Sequence, residues 1–157
     1  MSEAMAKGAL ENALASISGV LLTEEHLDDL IIPFQELALS GQFEDPQLAP
    51  LALSVVNKLI DSTLPPNSAS GAEIALTLIL LAGVSEISEE LELGLAASLP
   101  RALNGLAKVD KEAAEEIAKD LKTAARPGPM ATAVKEVLES WKKAAKPKRT
   151  PPFRFGK

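Results

Sequence analysis

The sequence predicts an all-α fold, a compact multi-helix bundle of about seven short helices with an extended C-terminal arm. Composition is the first of three observations behind this. Alanine and leucine supply 25 residues each of the 157, valine and isoleucine together supply 15, and tyrosine is absent. Good helix formers therefore dominate and strand formers are scarce. Second, apolar residues recur three and four apart almost everywhere, the period of one helix face. Third, capping residues, glycines and prolines punctuate the chain at the ends of those periodic runs.

The elements follow in order. Leu10, Ala13, Leu14 and Ile17 form the first apolar face, with Gly19 as its stop. Thr23 caps a second helix and sets Glu24 and Glu25 in the first turn, where the macrodipole favours carboxylates. Its apolar face is Leu27, Leu30, Ile31, Phe34 and Ala38; Pro33 interrupts that pattern and predicts a kink or two short helices, and Gly41 closes it. Asp45-Pro46 reads as a helix start, carrying Leu48, Leu51, Ala52, Val55 and Leu59, with Pro50 near the end of the first turn. Leu64-Pro-Pro-Asn67 is a break.

Ser70 and Glu73 form a capping-box pattern ahead of a helix over 71–83 that is apolar almost all round, which places it in the middle of the bundle. Ser85 or Ser88 caps the next, with Leu91, Leu95 and Leu99 on its face and Pro100 as a second punctuator. Asp110 caps a helix bearing Ala114, Ile117, Ala118, Leu121 and Ala125, and Arg126-Pro-Gly-Pro129 is the strongest linker signal. The last helix carries Met130, Val134, Val137, Leu138, Trp141 and Ala145 at helical spacing, so Trp141 is expected to be buried. Lys135, Glu139 and Lys143 are spaced as i,i+4 pairs on its wet face. The helix pairs run to roughly 40 residues, which resembles HEAT-type stacking loosely, but no residue pattern repeats at a fixed period and a compact bundle is the simpler expectation. Residues 1–145 are thus the helical body and 146–157 the arm.

Charge is sorted along the chain. Residues 1–100 hold two cations against fifteen carboxylates, a balance of −13; residues 101–141 hold seven of each; residues 142–157 hold seven cations and no carboxylate. Such asymmetry speaks about partners rather than fold. The arm reads Lys-Pro-Lys-Arg-Thr-Pro-Pro-Phe-Arg-Phe-Gly-Lys from Lys146 to Lys157. Three prolines and no apolar period predict an extended segment. Its exposed phenylalanines point to a partner surface, since aromatics anchor interfaces. Lys146, Lys148, Arg149, Phe153, Arg154 and Phe155 are the expected partner-binding residues. Lys146-Pro-Lys-Arg149 also has the look of a short nuclear-localisation signal.

Catalytic chemistry finds little purchase. There is no cysteine, and the one histidine, His26, lacks the spacing of a helical metal site and lies in a charged first turn. No phosphate-cradling glycine loop is present, and Ser140-Trp-Lys-Lys143 matches a Ser-x-x-Lys pattern without its companion motifs. The acidic clusters Glu24, Glu25, Asp28, Asp29 and Glu86, Glu89, Glu90, Glu92 sit at helix starts without the glycine-centred alternation of a calcium loop. No enzyme, cofactor or metal is expected. The most apolar stretch, Ile74–Val84, is far short of the ~20 residues that span a bilayer. With a start that lacks a secretory leader and with no cysteine, the sequence predicts a cytoplasmic protein, or a nuclear one in a eukaryotic or viral setting. The expected function is non-enzymatic interaction or assembly, with a protein partner or neighbouring copies. Nucleic acid bound through the arm is the first alternative. A helical carrier of an apolar ligand is the second.

Overall fold

Residues 3–16, 23–61, 71–124 and 127–145 are described by a computed structural model. They form seven α-helices and no strand: α1 (Glu3–Ser16), α2 (Glu24–Leu39), α3 (Ala49–Asp61), α4 (Gly71–Gly83), α5 (Glu89–Val109), α6 (Lys111–Ala124) and α7 (Pro129–Ala145). Their starts and ends are set by local chemistry. The Thr23 hydroxyl accepts the His26 N–H at 3.2 Å, and His26 Nδ1 accepts the Thr23 N–H at 3.3 Å, a reciprocal box that opens α2. Ser88, rather than Ser85, caps α5 by accepting the Leu91 N–H. Asp110 caps α6 through the Ala113 N–H. Asp45 caps as expected, accepting the Gln47 N–H, but the turn it opens, Pro46–Leu48, is 3₁₀ and hands over to α3 at Ala49.

A second 3₁₀ turn, Gln42–Glu44, follows Gly41, whose φ of 77° lies in the left-handed region that glycine enters without a Cβ penalty. This turn drives Phe43 inward against Phe34, ring centroids 4.9 Å apart and tilted by 59°, both fully buried. The Phe43 carbonyl then accepts the Ser88 N–H at 2.8 Å, tying the α2–α3 connection to the start of α5.

Of the two alternatives at Pro33, the division into two short helices is overturned, since α2 runs unbroken through it, and Pro100 does not punctuate α5, which continues to Val109. Each proline forfeits one backbone bond, but apolar residues beyond it (Phe34 and Leu37; Ala102, Leu103 and Leu106) are buried, and that burial outweighs the lost bond. The expectations resting on Ile17, Gly19, Leu64–Asn67, Ser70, Ala125, Arg126 and the arm lie outside the described residues.

Packing follows chain order in two files. In one, α1 meets α3, α3 meets α5 and α5 meets α7; in the other, α2 meets α4 and α4 meets α6. The files are joined by α1–α2, α3–α4, α4–α5, α5–α6 and α6–α7. Ala49, Glu89 and Pro129, the starts of three helices in one file, are 40 residues apart in turn, and so are Gly71 and Lys111 in the other. This is the order of a stack of helix pairs, in which each unit leans mainly on its neighbours. Apolar α4 lies inside it, with Ala75, Leu76, Leu78, Ile79 and Ala82 buried. No helix among the described residues is long and apolar enough to cross a membrane.

Candidate functional site

All six expected partner-binding residues, Lys146, Lys148, Arg149, Phe153, Arg154 and Phe155, lie outside the described residues, so the site is approached from the body. Stacking in chain order carries part of the charge sorting of the sequence into space, α1 and α2 holding seven carboxylates against Lys7 alone. The acidic pair α1–α2 forms one end of the stack. At the other end α7, from which the arm continues, packs on α5 and α6.

At the α7 end the apolar stripe docks as expected, with Met130, Val134 and Val137 buried. Trp141 differs from expectation: it is only half-buried. It lies in the last turns of α7, where α5 offers a polar side chain, and its Nε1–H donates to Asn104 Oδ1 at 2.9 Å. The Lys111 ammonium sits 4.1 Å from the ring centroid, a cation–π contact. The exposed edge of the ring opens on a groove between α6 and α7. Lys119, Lys122, Lys135 and Lys142 line it, against the carboxylates Glu115 and Glu139. The i,i+4 spacing of Lys135, Glu139 and Lys143 is present on this face, but these side chains close no ion pair within 4 Å.

Along the file α1, α3, α5, α7 runs a polar seam that no local pattern in the sequence announced. Asn57 Nδ2 donates to the Leu53 carbonyl at 2.9 Å, which fixes the amide. Its Oδ1 accepts from Ser98 Oγ at 3.1 Å and from the Arg101 guanidinium, which also pairs with Asp61. Residues 98, 101 and 104 form one i,i+3 row on α5, so Ser98 and Arg101 reach α3 while Asn104 reaches Trp141 on α7. The only sequence signal for the seam is that row of polar residues on α5; their partners are about 40 residues away.

The acidic end carries a second groove, between α1 and α2, of about 460 Å³. Ala9, Ala13, Ile32 and Pro33 supply an apolar lining, and Asp28 and Asp29 stand at its edge. His26, beside it, is held as a capping residue by Thr23. Among the described residues no three His, Cys, Asp or Glu side chains are placed to hold a metal ion. Neither groove gathers a nucleophile with a base; what they offer is an acidic, apolar-lined cleft at one end and a basic, tryptophan-edged one at the other. Comparison with protein-family models, with curated proteins and with solved structures finds no match.

Proposed function

We propose that the chain is a non-enzymatic interaction and assembly module that works through its two charged ends. The observation that carries this is the polarity of the stack: α1 and α2 at one end hold seven carboxylates against Lys7 alone, and the seven cations of residues 142–157, which hold no carboxylate, begin in the last turn of α7 at the other. Opposite charges at opposite ends favour a head-to-tail contact between copies, or between this chain and a partner of complementary charge. Lys146, Lys148, Arg149, Phe153, Arg154 and Phe155 supply the cationic and aromatic groups of the contact, and the acidic helices supply its complement.

A polyanion is the second reading, favoured by the four lysines beside Trp141 on the α6–α7 groove, which add to the charge of the arm. Static light scattering at low and high salt, with and without a short oligonucleotide, separates the two. Mass that rises with protein concentration at low salt and falls at high salt, without oligonucleotide, is expected for assembly. A mass increase that needs the oligonucleotide supports the polyanion. A monomer under all four conditions leaves neither reading standing.

A further inference from the structure

Resting on the assembly reading, we propose that the α1–α2 groove is the seat for the arm, residues 146–157, of a second copy of this chain. The groove and the arm match in two independent ways. The arm holds five cations, Lys146, Lys148, Arg149, Arg154 and Lys157, and no carboxylate, while the groove is edged by the exposed Asp28 and Asp29. Arginine pairs well with carboxylates because its planar fork can make two parallel bonds. The apolar parts match as well. Ala9 and Ala13 are short enough to leave a hollow, and Ile32, 54% exposed on a helix whose other large apolar residues mostly point inward, offers a surface to cover. Phe153 and Phe155 are two apart, so an extended chain presents both on one face, and a groove with an apolar lining accepts them together. Three prolines limit the arm's freedom before binding and so lower the entropy lost on docking.

The order of the stack favours a second copy over the chain's own arm. The groove lies at the α1–α2 end, three helix steps from α7 along the file α1, α3, α5, α7. At about 8–10 Å per step the separation is roughly 24–30 Å. The eight residues from Lys146 to Phe153 span at most about 26–29 Å when fully extended. The chain's own arm would have to lie taut and straight across the body to bring Phe153 to the groove. A neighbouring copy meets no such limit. Because the arm continues from α7 and the groove lies at the α1–α2 end, the contact is heterologous and propagates into rings or filaments.

The test is reciprocal charge reversal in the full chain, read by sedimentation velocity at low salt, with circular dichroism to verify the fold. Asp28→Lys/Asp29→Lys and Arg149→Glu/Arg154→Glu should each weaken self-association more than tenfold, since each places like charges together. An equimolar mixture of the two should associate again, because the unaltered arm of the first variant then finds the unaltered acidic groove of the second. Ile32→Glu, which leaves the first turn of α2 untouched, should also weaken association. Free peptide of sequence 146–157 in excess should dissolve wild-type assemblies to monomers. If the wild type associates, removal of the arm abolishes that, and the Asp28/Asp29 and Ile32 variants associate undiminished, the groove is overturned while the assembly reading survives. If the wild type stays monomeric at every concentration and salt, both are overturned. If it is monomeric and the Asp28/Asp29 reversal lowers its melting temperature only when the arm is present, the arm binds its own body and the second copy is overturned.

Discussion

Trp141 is the chain's only tryptophan and joins three helices, which makes it a measurable test of how α7 is held. Full burial would make Trp141→Ala cost about 3–5 kcal/mol. Partial burial lowers the whole figure, polar contacts included, to about 2–3 kcal/mol. Within the wild-type interaction, the Nε1–H bond to Asn104 contributes about 1 kcal/mol and the Lys111 contact about 0.5–1 kcal/mol at a partly exposed site. Trp141→Phe keeps much of the apolar area and loses the bond, so it should cost about 1 kcal/mol, and Trp141→Ala about 2–3 kcal/mol. Asn104→Ala combined with Trp141→Phe should cost little more than the worse single variant, because both remove one bond. Urea unfolding followed by circular dichroism at 222 nm gives the energies, since the variants lose their fluorophore. Wild-type emission should fall between that of a buried and that of a free indole, with partial quenching by acrylamide. A Trp141→Ala cost below about 0.5 kcal/mol with free-indole emission would refute the docking of this helix end. A cost above about 4 kcal/mol would refute the half-burial.

Three further outcomes are expected. A Cβ on Gly94 would come within 2.3 Å of Leu53 Cδ1 and 3.0 Å of Leu53 Cγ, so Gly94→Ala should destabilise by about 1 kcal/mol despite alanine's better helix propensity. Adding Leu53→Ala should relieve that clash; a stabilised single variant would mean that Leu53 swings clear. Ser88→Ala should cost more than Thr23→Ala within the ~0.5–2 kcal/mol range of caps, since the Leu91 N–H it strands is buried while the His26 N–H is exposed; thermal melts showing the reverse order would contradict this. Deleting 146–157 should leave the melting temperature nearly unchanged and abolish association, and a large drop in melting temperature at low salt alone would place the arm on its own body.

Most helices are legible in the sequence because helical periodicity and caps act within a few residues. Asp110, Ser88 and the all-round apolar α4 behave as their local chemistry dictates. Pro100, and Pro33 as a divider of its helix, mislead because their local cost is decided by burial beyond them, which depends on helices far away in the chain. Periodicity puts Trp141 on the correct face but does not give its depth, which is set by the polar Asn104 opposite. The 40-residue stacking is carried by helix lengths and starts rather than by residue identities, so no repeat can be read directly. The seam of Asn57, Ser98 and Arg101 and the α1–α2 groove arise only when distant segments meet. A hollow left by Ala9 and Ala13 looks in sequence like any small-residue helix face.

A stack that leans mainly on nearest neighbours also has a gradient of cooperativity. Helix α5 is gripped from four sides by α3, α4, α6 and α7, whereas α1 is held chiefly by α2, with a smaller contact to α3. Opening therefore begins at the ends, and the α1–α2 pair can exchange its amide protons through sub-global excursions that leave α5 shut. Mostly local contacts of this kind also lower the contact order, so neighbouring pairs can consolidate early in folding, and synthesis presents them in the order in which they stack. The end pair that opens most readily is also the one that carries the acidic groove. Anything seated there would stabilise the part of the molecule with least stability of its own, so occupancy would register as slowed hydrogen exchange in α1 and α2 ahead of any change in the global melt.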